Sequence, residues 1–335
     1  MLQHPRKKID LPLSILDLVM VNVDGSPSQS MRNSLDLARH VERWGYNRYW
    51  LAEHHNMKGI ASAATSVLID FIAGGTSTIR VGSGGIMLPN HSPLIIAEQF
   101  GTLESLYPGR IELGLGRAPG TDRLTAMALR RGSLDKSEED FPNSLEELMN
   151  YFAPQKEGKE VRATPGEGLN IPIWLLGSSL FSAELAAAWG LPFAFASHFA
   201  PAYLESAVNI YRERFQPSKT LKEPYVMAAV NVFAADTDEE ANRLFTSVQL
   251  MALAMLRRNH GLLQPPVNTM EGIWNQLEKY AVGERLKYSF VGCPSKIKKG
   301  LELFLNRIQI DEIMAVSHIY DHTARLRSFE ILSSI

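Results

Sequence analysis

Short apolar runs alternate with segments of helical spacing along almost the whole chain. Leu13 to Val19 has the length of a strand. Ser28 to Trp44 then sets Met31, Leu35, Ala38 and Val41 on one face, with Arg32, Asp36, Arg39 and Arg43 mostly off it, and Gly45 supplies a stop. Strand Arg48 to Ala52, helix Ala61 to Ala73, strand Ile79 to Gly82, helix Pro93 to Tyr107 and strand Arg110 to Leu115 follow. Pro93 suits a first helical turn, and Pro108-Gly109 a turn after that helix. Between Gly120 and Asn170 the alternation breaks in a stretch rich in charge, glycine and proline, with one predicted helix, Ser144 to Phe152. It resumes with strand Ile171 to Leu176, helix Ser179 to Trp189, strand Pro192 to Ala196 and helix Pro201 to Arg214. Strand Tyr225 to Ala234 and helix Asp238 to Arg258 come next. A second irregular span, Asn259 to Leu286, precedes helix Ser295 to Asn306, strand Glu312 to Val316 and a terminal helix from Asp321.

Eight strands, each tied to a helix, predict a parallel sheet with helical crossovers. With no second composition regime, that number favours one closed α/β domain over residues 1–335, a (β/α)8 TIM barrel. It would carry an insertion after strand 4 and a long loop before its last unit. An open doubly wound sheet fits the same order of elements with fewer strands.

Composition narrows the function without choosing it. The chain has 335 residues, 45% hydrophobic and 21% charged, with a formal net charge of −2. Nothing there calls for a polyanionic partner, and the Arg6 to Lys8 cluster is too short for a nucleic-acid arm. Cys293 is the only cysteine, so neither an intrachain disulfide nor a thiolate metal cluster is available, as suits a reducing cytoplasm. The N-terminus lacks a signal-peptide pattern and no apolar run is long enough for a bilayer. The expectation is a cytoplasmic protein that binds neither nucleic acid nor membrane.

The chemistry gathers where strands end. The second strand runs into Glu53, His54 and His55, ionisable groups at the edge where parallel-sheet enzymes hold their sites. Glu53 and His55 could instead form a buried polar pair. The third strand ends in glycines 82, 84 and 85, which mark either a tight barrel corner or close approach of a ligand to the backbone. The fourth ends LGLGRAPG, which is not a dinucleotide fingerprint but sets Arg117 where it could grip a phosphate, or else pair with Asp122. At the fifth, Gly177, Ser178 and Ser179 open a helix, with Ser182 one turn on. Free N–H groups and hydroxyls there make an anion site, although serine also caps helices. The sixth strand brings His198 to the same rim. A metal is disfavoured, because neighbouring side chains of a strand point to opposite faces and no zinc-type spacing occurs. A nucleophilic triad is equally weak, with no GxSxG elbow.

The WLAEHH strand end, GSGGIMLPNHSP, AEQFGTLESLYPGRIELGLGRAPG and the LLGSS helix start together resemble the bacterial luciferase-like flavin-dependent monooxygenases, in order and over nearly the whole chain. The resemblance implies a barrel of the bacterial luciferase type that binds FMN at its C-terminal rim. His54 falls at the family's active-site histidine, and Gly84-Gly85 where the family has a non-prolyl cis peptide against the flavin ring. Arg117, Ser178, Ser179 and Ser182 match its phosphate site, and Glu53 and Gly177 are further expected cofactor-binding residues. Ser178 stands where luciferases proper carry a glutamate, and Gly116 where they carry a cysteine. Those departures point away from light emission and an aldehyde substrate.

The resemblance further implies the oxygenase half of a two-component system, acting on a small organic substrate with O2. Reduced FMN would come from a separate NAD(P)H:flavin reductase, since the chain has no dinucleotide fingerprint of its own. Hydride transfer from the deazaflavin F420, or flavin binding without turnover, are the alternatives. Helices Ala61 to Ala73 and Pro93 to Tyr107 carry apolar or small residues over more of their surface than one core stripe needs. They predict a homodimer, unless the 120–170 insertion covers them.

Overall fold

In the computed structural model, which describes residues 9, 11–130, 140–154 and 161–335, the apolar runs become parallel strands and the periodic segments become helices between them. The first half holds β1 (Leu13–Asp17), α1 (Pro27–Arg43), β2 (Arg48–Leu51), α2 (Thr65–Gly74), β3 (Arg80–Met87), α3 (Pro93–Leu106) and β4 (Ile111–Gly116). The insertion contributes α4 (Arg123–Leu129) and α5 (Phe141–Phe152). Then come β5 (Ile173–Gly177), α6 (Leu180–Trp189), β6 (Phe193–Phe195), α7 (Leu204–Arg214), β7 (Val226–Ala234) and α8 (Asp238–Leu256). The chain closes with α9 (Gln276–Arg285), β8 (Ser289–Gly292), α10 (Pro294–Arg307), β9 (Glu312–Val316) and α11 (His322–Ser334).

Strands β1 to β7 pair in sequence, and β9 pairs with both β7 and β1, so the ring closes. That closure decides for the barrel over the open sheet. The extra strand, β8, pairs with Asn231–Ala234 of β7. Tyr225 O accepts from Phe193 N–H at 3.0 Å, and Asn231 N–H donates to Tyr288 O at 3.0 Å. Alternate residues bond the same edge, so β8 continues the edge of β7 that short β6 leaves unpaired.

Side chains alternate across the barrel wall. On β2, Tyr49 and Leu51 join the layer under the helices, while Trp50 and Ala52 point inside with Leu16, Trp174, Met227 and Met314. The N-terminal end is plugged by a satisfied ionic cluster. Arg48 donates to both oxygens of Glu112 at 2.8 Å and to Glu312 at 2.9 and 3.0 Å. Trp50 Nε1 donates to Glu112 at 2.9 Å and the Tyr225 hydroxyl to Glu312 at 2.8 Å. Its buried carboxylates and guanidinium find all their partners there, which leaves the opposite end of the barrel for chemistry.

Some expected boundaries move. Helix α2 begins at Thr65 rather than Ala61, because residues 61–64 fold over the end of β2, with Ser62 Oγ donating to Ala52 O. Strand β3 continues through its glycines to Met87, with a register shift against β4 between Gly84 and Ile86. The 259–286 span is only partly irregular, since α9 lies within it behind an Asn275–Glu278 capping box. Residues 6–8 lie outside the described chain.

Candidate active site

A cavity of about 250 Å³ opens at the C-terminal ends of the strands. His54, Gly84, Gly85, Arg117, Gly177, Ser178, Ser179, Ser182 and His198 all line it, over an apolar floor that includes Leu16, Met227 and Met314. Of the residues expected at the strand ends, Glu53, His55 and Gly82 are missing from its wall.

The alternation of β2 explains both placements. His54 follows Trp50 and Ala52 to the inside, whereas Glu53 follows Leu51 to the outside. The Glu53 carboxylate accepts from His55 Nε2 at 2.8 Å, from His91 Nε2 at 2.9 and 3.0 Å, from the Met87 N–H at 2.8 Å and from Asn90 at 3.2 Å. Burial pushes its pKa up, but the bonds from His55 and His91 and the Met87 amide outweigh that and hold it at about 2. It is therefore an ionised strut joining the ends of β2 and β3, and the buried pair with His55 exists. The loop after β4 is tied to the same segment, with His55 N–H donating to Gly120 O at 3.2 Å and Thr121 Oγ1 to His55 O at 3.0 Å.

His54 has the opposite character. Its Nδ1 is buried without a hydrogen-bond partner. Burial lowers its pKa against the pull of Glu53, so the ring is neutral at pH 7.

The Gly84-Gly85 peptide is cis. A Cβ at Gly84 would lie 2.6 Å from Leu16, and one at Gly85 would lie 2.7 Å from Gly114 O. Both therefore serve the tight barrel corner while leaving bare backbone on the cavity wall. At Gly116 the space a side chain would need is taken by Met87, whose sulfur is 2.9 Å from the place of a Cβ.

Arg117 does not pair with Asp122. That carboxylate accepts from Asn56 at 2.9 Å and from Thr125, whereas the Arg117 guanidinium lies 4.2 Å from the Phe181 ring. Among the described residues it has no carboxylate partner. Ser179 occupies the N-cap position of α6, yet its side chain makes no capping bond. The first amides of α6 and the hydroxyls around them thus stay available to a ligand. Ser182 closes this corner, its Oγ 2.3 Å from where a Cβ on Gly177 would sit.

A second cavity, of about 340 Å³, adjoins the first, and His54, His198 and Phe199 line both. His318, just past β9, lines it too and was missed from the sequence. Burial pushes the pKa of His198 down to about 3 and that of His318 to about 4, helped by neighbouring positive groups, and each leaves Nδ1 unpartnered. The rule that found His198, a polar residue just beyond a strand, applies equally to His318.

Comparison with known proteins places this geometry. A family model described as luciferase-like monooxygenase matches residues 12–287. The chain is 57% identical to YvbT of Bacillus subtilis strain 168 and 52% identical to a luciferase-like monooxygenase of Escherichia coli K12, each over 97% of both chains. The solved structure of apo-MsnO8 superposes with a TM-score of 0.90 at 36% identity, covering 96% of this chain and 97% of that one. Chains of the same fold include the oxygenating constituent of 3,6-diketocamphane monooxygenase in complex with FMN and an F420-dependent secondary alcohol dehydrogenase. At 17% and 13% identity they are likenesses of fold alone. A match that spans most of the barrel, backed by an E. coli relative identical at about half its positions, shows that this chain belongs to the luciferase-like monooxygenase family of enzymes.

Proposed function

We propose that the first cavity binds FMN, and that the protein uses reduced FMN from a separate NAD(P)H:flavin reductase, together with O2, to oxygenate a small organic substrate in the cytoplasm. The observation that carries this reading is that Arg117, which has no carboxylate partner among the described residues, lies beside the uncapped start of α6 on the cavity wall. One guanidinium, the amide end of a helix and the hydroxyls of Ser178, Ser179 and Ser182 form a donor set for a phosphate dianion. The bare backbone of Gly84-Gly85 suits the flat face of a ring system, and the apolar floor would cover it from water.

Bound reduced FMN would supply the electrons with which one atom of O2 enters the substrate and the other leaves as water. The chain's own part is to hold, shield and move protons. His54 is neutral and offers an unpartnered Nδ1, so in the tautomer that leaves this atom bare it can take a proton there and return it later. Arg117 would anchor the phosphate, and His54 is not part of that donor set. Glu53 acts one step back, by fixing the segment that carries His54.

The exposed faces of α2 and α3 support a homodimer. Val67 is 65% exposed, Phe71 41% and Ile95 48%, and the insertion helix α5 leaves them uncovered. Pairing about a twofold axis would bury them.

The test is a screen of organic compounds in the presence of a flavin reductase, NADH and O2. A product heavier by one oxygen atom, formed only with this protein present, is the expected result. Absence of oxygenation while F420 supports hydride transfer would replace the reading.

A further inference from the structure

The second cavity has methionine-rich walls and, among the described residues, formal charges of one sign. Met20, Met57, Met251 and Met255 line it, and thioether side chains adapt to a ligand's shape. Among the described residues its formal charges are Arg285 and Lys58, and no described residue that lines either cavity is an aspartate or glutamate.

Arg285 is the informative group. It ends α9 and comes no nearer to a polar partner than the Met255 sulfur at 3.9 Å, with the Phe199 ring 5.9 Å away. Among the described residues no carboxylate pairs with it, whereas the buried Arg48 has two and the buried Arg325 one. Burial disfavours its charged form and nothing offsets that, yet an arginine stays protonated at pH 7. Arg285 is half-buried, and a cation that gives up part of its hydration without gaining a counter-ion is unusual in a finished structure. Its bland role would be to complement the C-terminal end of α9. An arginine turned to solvent would do that as well, and this one lines a cavity beside His198 and His54.

We infer that this cavity is the substrate subsite and that it selects organic anions, with a carboxylate or sulfonate held by Arg285 and an apolar body along the methionine walls. Lys58, exposed at its edge, adds to the attraction. The forked guanidinium fits such a group bidentately. An anion held there would extend toward His54, which with His198 and Phe199 is common to both cavities. Use of the cavity in oxygenation rests on the flavin reading above, but the preference for anions does not.

Calorimetric titration of the flavin-free protein with hexanoate, hexanesulfonate and the neutral hexanamide tests this. The wild type should bind both anions about tenfold or more tighter than the amide, the scale of one charge-assisted hydrogen bond. Arg285→Gln should erase the preference while leaving hexanamide affinity unchanged, which also shows the cavity intact. Arg285→Lys should keep most of it. Equal binding of anion and amide by the wild type, a preference that survives Arg285→Gln, or no binding of hexanoate would each overturn the inference. An FMN titration of the same preparation separates the two proposals. Anion preference without FMN binding counts against the flavin reading alone, and FMN binding without anion preference counts against this one alone.

Discussion

Replacing Glu53 with glutamine tests the strut most sharply. The carboxylate receives donors from two imidazoles, a backbone amide and an asparagine, so glutamine would aim an NH2 group at one of these donors. The folded carboxyl is held at about 2 against an ordinary 4.5. At about 1.4 kcal/mol per unit, that difference stabilises the ionised fold by roughly 3 kcal/mol. The sign follows from the lowered pKa: the contribution is complete above pH 4.5 and is lost as pH falls toward 2. Urea unfolding followed by circular dichroism at pH 7 should show Glu53→Gln less stable by about 3 kcal/mol. At pH 3.5 the gap should shrink by about 1 kcal/mol, because the unfolded wild-type carboxyl is then mostly protonated. A loss under 1 kcal/mol at pH 7, or the same loss at both pH values, would refute the strut.

Three further outcomes follow from the same geometry. His54→Ala should lower product formation per flavin oxidised by about 10²-fold or more while unfolding as the wild type does, and full coupling would leave His54 no proton to move. His198 and His318 stay neutral in the fold but take protons when unfolded, so stability should fall as pH drops from 6.5 toward 4. Each adds about 1.4 kcal/mol per pH unit to that slope, and His318→Gln should flatten it; equal stability at pH 7 and pH 5 would contradict their burial as neutral groups. Light scattering at micromolar concentration should give the mass of two chains for the wild type and of one for Phe71→Glu, and a single-chain mass for the wild type would reject the dimer.

The barrel was legible because its strands are apolar and its first helices periodic. Strand β8 and helix α9 were not. The four residues of β8 are mostly half-buried and α9 buries only Val282, so neither shows the apolar rhythm that marks an element. The rim residues could be read from their place after strands. Glu53 was misplaced because proximity in sequence stood in for direction in space. The alternation that rules out His54 and His55 as co-ligands also sends Glu53 away from the cavity, since it shares the face of Leu51. That Arg117 does not pair with Asp122 could not be read at all, because it depends on Asn56 and Thr125 occupying that carboxylate.

The central claim is a flavin phosphate held between Arg117 and the start of α6, and an anaerobic titration of FMNH2 into wild type and Arg117→Ala tests it most directly. The wild type should bind FMNH2 more tightly than oxidised FMN. The variant should lose about 1.5–3 kcal/mol of that affinity, the range for a charge-assisted hydrogen bond. An unchanged dissociation constant in Arg117→Ala would place the phosphate elsewhere and contradict the account.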